Sequence, residues 1–303
     1  MVFALTGIGL AWWLLSDSVV PALLRLFPGD GLSLAQAGAL MVGGLVVLWL
    51  IVLVHELGHV SGGLAAGFRF VLLAAGPIVF ARRSGLSLNR SLATFAGLAV
   101  SVPHRPETEG LAGRMALVVA GGPAASLIVG LTAVLVALSM TVSGGTQSVV
   151  RALIALFGLG STLTGAATLI PVTAGGIPND GARLWRLLRP SHPGRAREAA
   201  LLAVGTQELS GVRPENWSAD LLAQSLHPAD GTVYHFHALA FNLRHRLATG
   251  QTDTDRLRQA LSVASAMGGA LRIPAVELAA NHARASGQES IAREWERLLI
   301  SET

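Results

Sequence analysis

Long stretches of this sequence that carry almost no charge limit what it can fold into more than any other feature. Three of them contain a single charged residue each: Ala35 to Ala66, Ala112 to Val142 and Ser148 to Ile170. A helix that crosses a bilayer needs roughly 20 mostly apolar residues, so each stretch predicts a transmembrane helix. Val2 to Phe27 is a fourth candidate, although Asp17 and Pro21 interrupt it. The sequence therefore predicts an α-helical polytopic membrane protein with about four spans.

The charges are unevenly distributed along the chain. Residues 1–170 contain 8 arginines and 5 acids, whereas residues 171–303 contain 14 arginines and 13 acids. The chain has no lysine, and its net charge of +4 is not the basic footprint of a nucleic-acid-binding protein. We therefore predict a transmembrane domain over residues 1–189, a soluble domain over residues 190–303, and no nucleic-acid partner.

The soluble part has helical periodicity in six amphipathic stretches. They are Ala196 to Ser210, Trp217 to Leu226, Val233 to Ala248, Thr254 to Met267, Ala275 to Ala285 and Ser290 to Leu299. Pairs of short helices suggest an all-α solenoid, loosely like tetratricopeptide repeats, although no clean repeat period is visible. Such a domain could bind a protein partner.

The arginine distribution also predicts the orientation in the membrane. The loop Gly67 to Gly113 carries five arginines and the tail is rich in them, whereas the loop Ser143 to Gln147 has no charge. Because arginine is enriched on the cytoplasmic side, we expect a multi-pass protein of the cell membrane with the long loop and the C-terminal domain in the cytoplasm.

Short apolar runs follow the span at Ala35 to Ala66. Phe68 to Leu73 and Pro77 to Ala81 are separated by Gly76-Pro77, and they are too short to cross a bilayer. They predict a small membrane-associated β-sheet or hairpin. It is either a packed re-entrant segment or a sheet edge that pairs with an extended substrate.

The motif His55-Glu56-Leu57-Gly58-His59 lies near the end of the same span. Histidines four residues apart share one face of a helix, where they can bind one zinc ion, and the glutamate between them can act as general base. Polar groups at membrane depth are costly unless they are used, which favours a metal site near the cytoplasmic side. The alternative is a polar cluster that packs helices together.

Catalytic zinc needs a third protein ligand. Asp180, in Asn179-Asp180-Gly181, is the one carboxylate near the point where the chain returns to the cytoplasmic side, but its position also suits the N-cap of a helix. The chain has no cysteine, so a thiolate ligand is excluded. In Gly121-Gly122-Pro123 the small residues favour close helix packing, and Ser126 could offer a hydroxyl to the site.

Together, these motifs and their order resemble the site-2 protease family of intramembrane zinc metalloproteases. The resemblance covers His55 through about Leu188. It implies that His55, His59 and Asp180 bind one Zn²⁺ and that Glu56 is the catalytic base. It also implies that Ser126, Thr168 and Asn179 contact the substrate or the oxyanion, although the family usually has asparagine at the first two positions.

The resemblance further implies regulated cleavage of a transmembrane protein substrate in or near its membrane-spanning segment, with the sheet receiving the substrate as an added strand. Two other functions stay open. One is a proteolytically inactive membrane scaffold that binds partners through its helical tail. The other is a zinc-dependent membrane hydrolase that acts on a non-peptide substrate.

Overall fold

The computed structural model of the protein describes residues 23, 25–27, 32–90, 92–104, 108–267 and 272–300. These residues are mostly helical and include a small antiparallel sheet. The chain forms two compact units. One comprises Met1–His55 and Ala124–Gly165, and the other comprises Glu56–Pro123 and Ala166–Thr303. The domain boundary predicted after residue 189 falls inside the second of these units.

Three helices are long and apolar enough to cross a membrane. They are α1 (Leu34–Ala65), α2 (Leu111–Ser139) and α3 (Gly145–Leu169). At about 1.5 Å per residue, α1 is about 48 Å long, which exceeds the bilayer's hydrocarbon thickness of about 30 Å. These helices match three of the predicted spans. The fourth candidate, Val2 to Phe27, lies almost wholly outside the described residues.

Glycines allow α2 and α3 to pack closely in the first unit. A Cβ atom on Gly158 would lie 2.7 Å from the backbone nitrogen of Val134, and one on Gly130 would lie 2.6 Å from Oγ1 of Thr162. Both distances are too short for a real contact, so only glycine fits at these positions. This is the close approach that small residues permit between membrane helices.

The second unit contains the predicted sheet. Its strands are β1 (Phe68–Ala75), β2 (Ile78–Ala81), β3 (Gly85–Leu88) and β4 (Leu98–Pro103), in the antiparallel order β3-β2-β1-β4. The β1–β2 turn is Gly76-Pro77, where Gly76 has a φ of 53°. A short helical turn, Leu92–Phe95, precedes β4. The sheet thus connects the end of α1 to the beginning of α2.

A tight hairpin positions the segment that carries Asp180. It consists of β5 (Thr173–Ala174) and β6 (Ile177–Pro178), and it leads into α4 (Asp180–Leu188). Asn179 is the N-cap of α4: its Oδ1 accepts from the Ala182 nitrogen at 3.0 Å, and its Nδ2 donates to the Ile170 carbonyl at 2.7 Å. Asp180 is therefore the first residue of α4, and the interpretation of Asp180 as the cap is wrong.

The tail is helical, as predicted. Its helices are α5 (Pro193–Leu209), α6 (Ala219–Ser225), α7 (Val233–Ala248), α8 (Thr254–Ala266), α9 (Arg272–Ala285) and α10 (Glu289–Ile300), with a 3₁₀ turn at Pro214–Asn216. Consecutive helices from α7 to α10 pack on one another around a core that includes Leu239, Leu257, Leu261 and Val276. Whether the arrangement is a solenoid stays a prediction.

One buried ion pair holds the beginning of the tail together. The Arg197 side chain is fully buried and donates to both carboxylate oxygens of Asp230, at 2.7 and 2.8 Å, and to the Pro228 carbonyl. Partial burial of Asp230 would raise the pKa of its carboxyl group, but the hydrogen bonds from Arg197 and Thr232 outweigh it and lower this pKa to about 2. The pair therefore stays charged at every physiological pH.

A second buried cluster joins α4 to the tail. The guanidinium groups of Arg183 and Arg186, both on α4, lie 3.6 Å from the carboxylate of Glu198 on α5. Both guanidinium groups also lie over the ring of Tyr234 on α7, at 5.5 and 5.2 Å from its centroid. Burial raises the pKa of the Tyr234 hydroxyl to about 12, so it stays protonated. The helix that begins with Asp180 is thus packed directly against the tail.

Candidate metal centre

Helix α1 presents two histidines one turn apart. His55 and His59 lie in a stretch of unbroken helix, so their imidazoles share one face. His55 and Glu56 are buried, with 7% and 8% of their surface exposed. Histidines and a carboxylate buried in a membrane-length helix are costly to keep unless other groups satisfy them. The partners of each side chain therefore indicate what the site can do.

His55 is oriented by a hydrogen bond to Ser126, three residues after Pro123 on α2. Its Nδ1 lies 3.0 Å from the Oγ of Ser126, which is fully buried in α2. A ring nitrogen engaged in this way leaves Nε2 as the atom that can bind a metal. Metal-binding histidines almost always hold their other ring nitrogen in such a hydrogen bond.

His59 is held by a backbone carbonyl of α2. Its Nδ1 donates to the Val118 carbonyl at 2.9 Å, which leaves a lone pair on Nε2. Gly122 lies flat against the ring, because a Cβ atom there would be 2.4 Å from Nε2 of His59. A Cβ atom on Gly121 would lie 2.2 Å from the carbonyl oxygen of Gly58, the residue before His59 on α1. The close packing predicted for Gly121-Gly122 is confirmed, and it is what brings Val118 to the ring.

The third potential ligand comes from α4. Oδ2 of Asp180 lies 3.5 Å from Nε2 of His59. Two ligands about 2.1 Å from an ion in tetrahedral geometry are about 3.4 Å apart, so this spacing suits a shared ion. Among the described residues, ligand atoms of His55, His59 and Asp180 lie within 4.8 Å of one another. This group could hold a metal ion, and its members are the three ligands predicted from the sequence.

Glu56 lies beside the beginning of strand β4. A Cβ atom on Gly97 would be 2.3 Å from Oε1 of Glu56, so the carboxylate fills the space that a side chain would need. Gly97 also has a φ of 119°, which L-amino acids rarely adopt. Both features require glycine at this position. The Glu56 carboxylate, which is predicted to act as the base, therefore lies next to the residue that precedes β4.

The remaining predicted residues have clear structural positions. Ser126 contacts His55, Asn179 caps α4, and Thr168 lies half-buried in the last turn of α3. Their predicted contacts with substrate stay predictions. Sequence reasoning missed the Val118 carbonyl, which no residue type reveals, and Gly97, whose only signal is a glycine just before an apolar run.

Comparisons with protein-family models, with curated proteins and with solved structures found no match to this chain. A function for the protein therefore has to be inferred from the geometry of its site.

Proposed function

We propose that this protein is an intramembrane zinc metalloprotease that hydrolyses peptide bonds in or near the transmembrane segment of a membrane protein substrate. The observation that carries the proposal is the grouping of His55, His59 and Asp180, from two distant segments, around one point. Glu56 lies between the two histidines in sequence, and it supplies a carboxylate on the same turn of α1.

The donor set favours zinc. Two imidazoles and one carboxylate, with no cysteine in the chain, suit Zn²⁺ and leave a fourth position open. When bound, zinc polarises the substrate carbonyl and makes water more acidic. The hydrogen bonds that join Nδ1 of His55 to the Ser126 hydroxyl and Nδ1 of His59 to the Val118 carbonyl preorient both imidazoles, so that Nε2 is the ligand atom of each.

Glu56 performs the proton transfers in this proposal. Its carboxylate takes a proton from the attacking water and later delivers that proton to the leaving amine nitrogen. Burial beside Gly97 keeps the carboxylate in one place, which general acid–base catalysis requires.

The sheet is the proposed platform for the substrate. A transmembrane substrate must unwind locally before cleavage, because a helix holds its carbonyls in hydrogen bonds. An extended segment that paired with the sheet near the beginning of β4 would pass the Glu56 carboxylate. The arginine distribution further supports a multi-pass protein of the cell membrane, with the site toward the cytoplasm and the tail in it.

The experiment compares four forms of the full-length protein in detergent: wild type, Glu56→Gln, Asp180→Ala and the control Asp255→Ala, whose carboxylate is almost fully exposed in the tail. Bound zinc per chain and cleavage of a transmembrane peptide are measured together. Glu56→Gln should keep zinc and lose cleavage by about 10² to 10⁴-fold. Asp180→Ala should lose both, and Asp255→Ala neither.

Other outcomes favour other functions. Normal cleavage by Glu56→Gln, or full zinc occupancy in Asp180→Ala, would contradict the proposal. Wild-type protein that binds zinc but cleaves no peptide would favour the inactive scaffold. Hydrolysis of lipid or prenyl substrates, tested in parallel, would indicate a non-peptide hydrolase.

A further inference from the structure

A cavity of about 450 Å³ opens beside the sheet, and none of the residues that line it belongs to the metal centre. It lies where β1 extends past β2: Ala81, the last residue of β2, pairs with Leu72, and the Arg82 nitrogen still donates to the Val71 carbonyl. The walls of the cavity are mostly apolar and include Phe70, Leu72 and Leu209. It can therefore accommodate a hydrocarbon chain.

Three arginines line the same cavity. Arg82 and Arg83 are exposed in the turn between β2 and β3, and Arg69 is half-buried on β1. Among the described residues, none of the three forms an ion pair with an acid. Arg69 instead donates to the Oγ of Ser210 at 3.4 Å.

None of the described residues that line this cavity is acidic. Residues 67–105, which include the whole sheet, contain no aspartate or glutamate. The acid next to Leu209 in sequence, Glu208, is paired with Arg244. Since no acid in the described part of the chain pairs with these three arginines, an anion is favoured at the cavity.

The cavity lies at the end of a membrane-length helix. Helix α1 ends at Ala65 and β1 begins at Phe68, so Arg69 follows the apolar span closely. On the neighbouring hairpin, Phe80 pairs with Leu86, and these side chains are 47% and 71% exposed. Exposed apolar side chains next to unpaired arginines are typical of a surface that contacts the headgroup region of a bilayer.

We propose that this cavity binds an anionic phospholipid of the bilayer that the helices cross. Arg69, Arg82 and Arg83 hold the headgroup phosphate, and the apolar wall formed by Phe70, Leu72 and Leu209 receives the beginning of an acyl chain. The combination of charge and apolar wall distinguishes a lipid from free phosphate, which would use only the arginines. The site is separate from the metal centre and does not depend on the protease proposal.

The test titrates the full-length protein in detergent with three probes and counts bound molecules by native mass spectrometry. The probes are dioctanoyl phosphatidylglycerol, dioctanoyl phosphatidylcholine and glycerol 3-phosphate. Phosphatidylglycerol should bind tightest. The double variant Arg82→Gln/Arg83→Gln should bind it about thirtyfold more weakly, since each interfacial arginine contributes about fivefold. Its matched control, Arg90→Gln/Arg258→Gln, removes two exposed arginines elsewhere and should bind as wild type does.

A second variant keeps all three arginines. Leu209→Glu adds a negative charge at the partly exposed wall and should also lose phosphatidylglycerol binding. Equal binding of the two lipids, unchanged binding by Arg82→Gln/Arg83→Gln, or an equal loss in the control would overturn the proposal. Glycerol 3-phosphate binding as tightly as phosphatidylglycerol would overturn it as well, because the apolar wall would then contribute nothing.

Discussion

The imidazole of His59 is held between two partners from different parts of the chain: its Nε2 lies 3.5 Å from Oδ2 of Asp180, and its Nδ1 donates to the Val118 carbonyl. Asp180 approaches from α4 and Val118 from α2, so the ring depends on how both helices pack against α1. Small changes in that packing should therefore be visible as changes in metal affinity.

Gly122→Ala should weaken metal binding. The new methyl group would lie 2.4 Å from Nε2 of His59, so the ring has to move from the position that places Nε2 beside Asp180. We expect at least about tenfold weaker zinc binding, as is usual when the support of a metal ligand is disturbed. Competition with a chromophoric chelator measures it. Gly113→Ala is the control on the same helix, because a Cβ atom there meets nothing within 4 Å. Unchanged affinity in Gly122→Ala would show that the ring is not confined.

Gly97→Ala should affect the base and spare the metal. Its Cβ would lie 2.3 Å from Oε1 of Glu56, which has to shift, so cleavage should fall by about 10²-fold or more while zinc stays bound. Gly85→Ala is the control: its φ of 75° is also positive and rarely adopted by residues with a side chain, but no atom lies within 4 Å of the added Cβ. Equal losses in the two variants would point to backbone strain instead of displacement of Glu56.

Ser126→Ala should weaken zinc binding through His55. Removing the Oγ that lies 3.0 Å from Nδ1 frees the imidazole to rotate, and loss of such an outer partner typically costs about 10 to 100-fold in metal affinity. Ser161→Ala is the control, since Ser161 is equally buried and its Oγ has no hydrogen-bond partner among the described residues. If zinc affinity fell only in the control, or in neither variant, Ser126 would not support His55.

The stability of the tail should fall in acid because of Asp230. Its pKa is about 2 in the folded protein, below the ordinary value of 3.8, so its contribution is fully present above about pH 4 and is lost as the pH falls toward 2. We expect a loss of about 1 to 2 kcal/mol, after allowing for partial exposure of the carboxylate. Thermal unfolding followed by near-ultraviolet circular dichroism measures it.

Asp230→Asn provides the comparison. It should be less stable than wild type at pH 7, because Arg197 is fully buried and loses its counter-charge. Its stability should also fall less than that of wild type between pH 4 and 2, because the Asp230 carboxylate is no longer there to be protonated. An identical fall in stability in the two proteins between pH 4 and 2 would exclude Asp230 as its source.

Features with a strong local signal could be predicted from the sequence. Long runs with a single charged residue each predict the positions of α1, α2 and α3, and helical periodicity predicts the tail helices, including both ends of Val233–Ala248. The spacing of His55 and His59 placed both on one helix face, because helix geometry depends on nothing distant. Asp180 was found as the one carboxylate near the right end of a span, and the structure brings it to His59.

Most other contacts between distant segments could not be predicted. The contact between Gly97 and Glu56, the Val118 carbonyl beneath His59 and the pairing of Arg197 with Asp230 all join positions far apart in sequence. A hydrogen bond to a backbone carbonyl leaves no trace in residue type. The cap of α4 was ambiguous for a different reason, since Asn179 and Asp180 are adjacent and both residue types favour that position.

The packing of α4 on the tail affects how shortened forms of the protein should be interpreted. A chain that ended at Pro190 would lack Glu198 and Tyr234, against which Arg183 and Arg186 lie. The helix that presents Asp180 would then have lost its neighbours on that side. Inactivity after such a deletion would therefore not identify the tail as a docking module, and point substitutions on its outer surface are the more informative way to look for binding partners.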